Sequence, residues 1–309
     1  MPRACPVECS RLSLRSLLDT SASRELVSHN LTMRLYTYQP HEIHFAFCYR
    51  VYFSWRTYRA LPLSALTTLQ RRTLDALLQP YNIRVLECVT NATELKCIVS
   101  LKPIETISGC ASKLKGRVSK WLRDELKLTE PASLLSKGYF ACTTGKSRSK
   151  VVERYLSSQA KHHGYSNRIL PPIFVEQYRL STQDRLAPNH AVVVAKFHLV
   201  FSTTRRKGVF GSSQGKRIAR EWLKIQEELQ FALLKVSFVP DHVHVALQSH
   251  PAVSPATIAA ALMNAAQMVV LNELIQAGVN RLWMNSAYVG SYGDLADAQI
   301  RKYMEKWET

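Results

Sequence analysis

An α+β fold built from two tandem copies of one unit is what this sequence predicts, and three observations carry the prediction. Strand and helix patterns follow in the order β-α-β-β-α-…-α and then restart near residue 189. Distinctive residues recur at one spacing: Ser64 and Ser212, Pro103 and Pro251, Gly145 and Gly293, and Tyr155 and Tyr303 all differ by 148. A constant offset over so long a span marks an internal duplication. Between the copies, Pro171, Pro172 and Pro188 punctuate a linker at 164–188. The element order suggests an antiparallel sheet with helices on one face, a ferredoxin-like (RRM-like) unit, and the two copies are expected to pair as a pseudo-dimer. The resulting domain reading is an N-terminal extension at 1–35, a first repeat at 36–163, the linker, and a second repeat at 189–309.

In the first copy, Ile43, Phe45, Phe47, Tyr49, Val51 and Phe53 alternate and predict a strand from His41. Ser64 to Leu78 reads as an amphipathic helix. Strands follow at Ile83–Val89 and Leu95–Leu101, then a basic helix at about Ile107–Leu126, and a last helix at about Lys150–Lys161. The second copy predicts a strand at Val192–Phe201, a helix at Gln214–Leu229 and a hairpin of Leu233–Phe238 with His242–Gln248. Helices at Pro255–Ile275 and Ala296–Trp307 complete it.

Within that hairpin, Pro240-Asp241 is a turn signal and His242-Val243-His244-Val245 alternates. The period of two puts His242 and His244 on one face. The pair suits two metal ligands, with a third from elsewhere, or else it is two ordinary histidines on a half-exposed sheet face.

The formal net charge of +18 points to a polyanionic partner, nucleic acid before membrane. No apolar run approaches the roughly 18 residues of a membrane span, and no signal-peptide pattern opens the chain. Seven cysteines, an odd number with no C-x-x-C, argue for a reducing compartment and against a disulfide framework or cysteine zinc site. Charge is uneven: residues 1–171 hold 26 Lys+Arg against 12 Asp+Glu, residues 172–309 hold 15 against 11. Nucleic-acid backbone contacts are therefore expected mainly on the first copy, from Lys113, Lys115, Arg117 and Lys120 of the basic helix. Arg205 and Arg206 are the candidates in the second copy. Tyr139, Phe140, Tyr288 and Tyr292 are either base-stacking or core aromatics.

The runs "FHLVFSTTRRKGVF", "VSFVPDHVHVAL" and "YVGSYG…IRKYMEKW" resemble single-tyrosine transposases of the insertion-sequence 200/605 group and the REP-associated tyrosine transposases, both of the HUH superfamily. In the first copy "LKGRVSKWL", "GYFACTTG" and "VVERYLSSQ" carry the same likeness, so it covers most of the chain from about residue 41. The resemblance implies a ferredoxin-like sheet bearing the histidine pair, and a later helix bearing a nucleophilic Tyr with a metal-binding Gln one turn on. It also implies dimers acting on single-stranded DNA that contains hairpins, in which one subunit's Tyr helix docks on the other's histidines. The implied cofactor is Mg²⁺ or Mn²⁺.

The copies depart from that pattern in complementary ways. At offset 148, His242 and His244 correspond to Glu94 and Lys96, so the first copy lacks the pair. Its Tyr155 is followed at i+4 by Gln159, whereas Tyr303 is followed by Trp307, which cannot bind a metal. The expectation is one composite site: His242, His244 and Gln159 on the metal, and Tyr155 as nucleophile of a nicking and joining enzyme. The runner-up places Tyr303 beside its own histidines, with Glu308 or water completing the metal shell. A scaffold that binds DNA without catalysis is the alternative function, and an RNA-binding module ranks below it, since the RNP aromatic signature is missing. The chain is expected to be monomeric, cytoplasmic and nucleoid-associated.

Overall fold

Strands and helices alternate through the chain much as the pattern predicts. A computed structural model describes residues 35–129, 133–145, 148–159, 174–178, 186 and 190–293. The expected helix at 296–307, with Tyr303, lies outside the described residues. The first copy contains β1 (His44–Phe45), β2 (Tyr49–Arg56), α1 (Arg71–Leu78), β3 (Arg84–Thr90), β4 (Glu94–Leu101), α2 (Ile107–Glu125), β5 (Tyr139–Thr144) and α3 (Ser149–Ser157). After β6 (Phe174–Gln177) come β7 (Ala191–Thr203), α4 (Ser212–Ile225), β8 (Phe231–Val239), β9 (His242–Ser249), α5 (Pro255–Val269), α6 (Leu271–Gln276) and β10 (Trp283–Tyr292).

These strands form one mixed, mostly antiparallel sheet, in the order β3-β4-β2-β5-β7-β9-β8-β6, with β10 on β7 and β1 on β10. Within each copy the neighbours run the same way, β3-β4-β2-β5 and β8-β9-β7-β10. The copies join where β5 pairs in parallel with Ala191–Val194 of β7, while Lys196–Thr203 of β7 takes its own β10. Hydrogen bonds at this seam come in exchanged pairs. Thr143 Oγ1 donates to the Tyr292 carbonyl at 2.7 Å and Ser291 Oγ to the Thr144 carbonyl at 2.6 Å. Likewise Ser108 N donates to Pro251 O at 2.9 Å and Ala256 N to Pro103 O at 3.0 Å. Each partner in these pairs sits 148 residues from its counterpart, so the spacing in the sequence is a spacing in space.

The first strands deviate: Arg50 lies opposite Thr144 but Lys196 opposite Tyr292, an offset of 146. The turn after each strand repeats at that offset, with left-handed backbone at Arg59 and Ala60 and again at Arg205 and Arg206.

Several expected elements are divided or added. The strand from His41 breaks into β1 and β2. The helix at Ser64–Leu78 becomes a 3₁₀ turn at Ser64–Thr68 followed by α1, because the Thr67 and Thr68 hydroxyls bond back to Ser64 and Ala65 and tighten that turn. The long helix at Pro255–Ile275 divides at Val270, whose ψ of 24° leaves the helical range. α3 ends at Ser157, short of Lys161. Within the expected linker, β6 pairs with β8. β5 and β10 carry no alternating apolar pattern and are strands by virtue of their pairing.

The two sheet faces differ. On one, α2 packs through Cys110, Leu114 and Val118, and Tyr49 reaches it by donating to the Glu105 carbonyl. Trp222 and Trp283 anchor the second copy on that same side, their indole N–H groups donating to Leu262 O and Met263 O. The register carries Tyr52, Cys142, Val194, His198 and His244 onto the opposite face. α3 lies there, its Val152 and Leu156 packed on Leu234, Ala246 and Tyr292 of the second copy.

Candidate active site

The hairpin tip is fixed before any side chain acts. Asp241 O accepts from both N and Oγ1 of Thr203, and Pro240 O accepts from Val209 N at 2.8 Å. From this turn β9 projects His242 and His244 onto the face under α3, their ring centroids 5.0 Å apart. Both are buried, at 4% and 5% exposure, where the pattern alone allowed a half-exposed surface.

Each histidine is held at Nδ1. Asp241 Oδ1 lies 2.6 Å from His242 Nδ1, and Arg206 Nε lies 2.8 Å from Asp241 Oδ2. His198 Nε2 lies 3.0 Å from His244 Nδ1 with the rings stacked at 5.2 Å. With those nitrogens engaged, coordination by either histidine would use Nε2, and a partner on the second ring nitrogen fixes the tautomer that permits it. Burial pushes the His198 pKa down to about 4, so it acts as a neutral hydrogen-bond partner.

α3 brings Tyr155 to this cluster. Its ring meets His244 edge-on at 5.6 Å and His198 at 6.2 Å. Lys235, buried in β8, donates to Ser157 Oγ and ties the end of α3 to the second copy. Gln159 is fully buried one turn beyond Tyr155. Its Nε2 donates to the Tyr155 carbonyl at 2.8 Å, and its Oε1 has no hydrogen-bond partner among the described residues. Tyr155, His242 and His244 are thus brought together across the copies. Among the described residues no three His, Cys, Asp or Glu side chains gather closely enough to hold a metal by themselves.

The corresponding place in the first copy has different chemistry. Glu94 and Lys96 form a 3.2 Å ion pair, with Ser54 Oγ donating to Glu94 at 2.8 Å. Tyr52 replaces His198 there, and Phe140 replaces Tyr288.

The basic helix lies on the other sheet face. Lys113 pairs with Glu105 at 3.0 Å and sits over the Tyr81 ring, and Arg117 donates to the Tyr81 hydroxyl. Partial burial and the nearby Lys137 lower the Lys115 pKa, while Lys120 is exposed. Arg205 is exposed; Arg206, expected to contact DNA, also holds Asp241 in place. Of the candidate stacking aromatics, Tyr139 packs on Trp55 and Tyr292 is core, whereas Phe140 and Tyr288 are exposed.

Sequence reasoning missed His198 and gave Asp241 only a turn role. The signal for His198 was a lone imidazole at an alternate position of "KFHLVF", visible only once β7 is laid beside β9.

The Transposase IS200 like family matches the chain twice, over residues 45–159 and 191–307. No curated protein matches. Among solved structures, a candidate transposase from Deinococcus radiodurans R1 aligns at 22% identity over 39% of this chain and 96% of its own, with a TM-score of 0.33. A bacterial light-regulated adenylyl cyclase aligns at 10% identity over 79% of this chain and 72% of its own, with a TM-score of 0.16. At these scores neither bears on the argument. The two family matches together span most of the sequence, one over each copy, and the chain belongs to the IS200-like transposase family as a tandem duplication.

Proposed function

We propose that the protein is a metal-dependent endonuclease and strand transferase for single-stranded DNA with one composite active site, working in transposition or a derived host role. IS200-like transposases are generally metal-dependent. The observation that carries the composite reading is the position of Tyr155 from the first copy, edge-on to His244 of the second at 5.6 Å. The local strand order, alike in both copies, supports ferredoxin-like units, and the exchanged bonds at the seam support a pseudo-dimer.

The residues fit a divalent ion. His242 and His244, held at Nδ1, would coordinate through Nε2, and Gln159 has a buried Oε1 with no hydrogen-bond partner among the described residues. Mg²⁺ or Mn²⁺ held there would offset negative charge on the scissile phosphate. Tyr155 Oη attacks phosphorus, the P–O3′ bond breaks, and the phenol proton ends on the departing 3′ oxygen. A 5′-phosphotyrosine and a free 3′-OH result, so the phosphoester energy is kept for rejoining without ATP. The test is incubation of the chain with single-stranded, hairpin-containing DNA and Mn²⁺. A covalent adduct mapped to Tyr155 supports the reading; intact DNA with binding alone supports the DNA-binding alternative.

Asp241→Asn is expected to weaken Mn²⁺ binding by about 10-fold or more, because it loosens the hold on His242. Calorimetric titration measures it, and an unchanged affinity would remove Asp241 from this role. For the basic helix, joint charge reversal at Lys113, Lys115 and Arg117 is expected to weaken DNA binding and flatten its salt dependence. The slope should fall by about one for each lost phosphate contact. The same change at Lys216, Arg220 and Lys224 of α4 should do less, and equal losses would refute the asymmetry.

A further inference from the structure

A second group of aromatic rings adjoins the site and has no part in the chemistry above. Tyr288, on β10, is 40% exposed, and Phe47, between β1 and β2, is 58% exposed. Their centroids are 5.7 Å apart in an edge-to-face arrangement. The Tyr288 ring does not stand away from the sheet. It lies back over Gly290, where an added Cβ would fall 2.9 Å from Tyr288 Cε1 and Cζ. Gly290 pairs with His198, and the Tyr288 ring meets His198 at 5.5 Å. The path from solvent to nucleophile therefore runs Phe47, Tyr288, His198, Tyr155. Burial, and after it the nearby Tyr155 phenol, raise the Tyr288 pKa, which places the two tyrosines within electrostatic reach of one another. Arg206 stands at the same side of the site, its side chain 54% exposed and its Nη1 on Ser202 Oγ, two residues along β7 from Val200, the partner of Tyr288.

We infer that Phe47 and Tyr288 form a stacking platform for the nucleobase next to the phosphodiester attacked at Tyr155, with Arg206 on the backbone beside it. The inference rests on the reading of Tyr155 as nucleophile. A flat, exposed ring against the histidine that meets that nucleophile suits an unpaired base on an anionic strand. Every base has a π-face, so such a platform is tolerant of sequence. In the first copy Tyr52 and Phe140, 6.1 Å apart, stand where His198 and Tyr288 stand in the second, so that ring has no histidines beside it.

The test uses an oligothymidylate strand with single 5-iodouracil substitutions, photo-crosslinked to the full chain and mapped by peptide mass. Crosslinks are expected on Tyr288 or Phe47. Tyr288→Leu is expected to abolish them and weaken binding about tenfold, some 1.4 kcal/mol, while Tyr288→Phe retains both. Tyr155→Phe should keep the crosslinks while losing the covalent adduct; a failure of the catalytic reading alone shows as an unmodified chain that crosslinks but forms no phosphotyrosine, or as an adduct that survives Tyr155→Phe. If Tyr288→Leu and Phe47→Leu bind and crosslink like the unmodified chain, the platform is wrong.

Discussion

Tyr155→Phe is expected to eliminate the covalent protein–DNA adduct, a loss on the order of 10³-fold or more, while Tyr303→Phe leaves it in place. The substitution removes one oxygen and keeps the ring that packs against His244 and His198, so folding and DNA affinity should be nearly unchanged. Gel separation of labelled DNA under denaturing conditions measures the adduct directly. The asymmetry between the tyrosines is chemical. Tyr155 faces two imidazoles, whereas the corresponding place in the first copy presents the Glu94–Lys96 ion pair, an ammonium where a metal ligand would be needed. Adduct formation that survives in Tyr155→Phe and fails in Tyr303→Phe would overturn the composite site and favour Tyr303 beside its own histidines.

Gly145→Ala is expected to destabilise the fold by about 3 kcal/mol or more, read as a lower urea midpoint. An added Cβ would run into the Ser291 carbonyl oxygen and come within 3.2 Å of its carbon. The obstacle is backbone, and the Thr143 and Ser291 bonds on either side fix it, so no side chain can swing away. Gly116→Ala is the control with the opposite sign. It lies inside α2 with nothing within 4 Å of the new methyl group, and a Gly-to-Ala change in a helix interior adds up to about 1 kcal/mol. Equal effects at the two glycines would mean that the seam yields more readily than its bonds indicate.

Motifs whose signal is local were legible in the sequence. The basic helix was placed to within a residue of α2, and the Pro240-Asp241 turn with its histidine strand was read correctly, because periodicity and turn chemistry act over a few residues. Elements made by pairing were not. β5 (YFACTT) and β10 (WMNSAYVGSY) mix aromatic, small and polar residues in no clean alternation, and β6 lies in a proline-marked stretch. Gln159 and Tyr155 were picked out by the family resemblance, but nothing in the sequence says that α3 packs on Ala246 and Leu234. His198 was hidden for a related reason: its position relative to His244 depends on β7 and β9 being neighbours, and on a first-strand offset of 146 where the rest of the duplication keeps 148.

The Glu94–Lys96 ion pair has a consequence for stoichiometry. An assembly of two identical subunits owns two equivalent nucleophiles and can hold the 5′ ends of two cuts at once. On the reading given above, this chain captures one 5′ end per molecule, so a single-turnover burst should saturate at one adduct per polypeptide. Rejoining two separate ends then requires either a second molecule at the junction or release of the first end before the second is cut. Copy number at the DNA junction, which a homodimer has built in, becomes for this protein a matter of concentration.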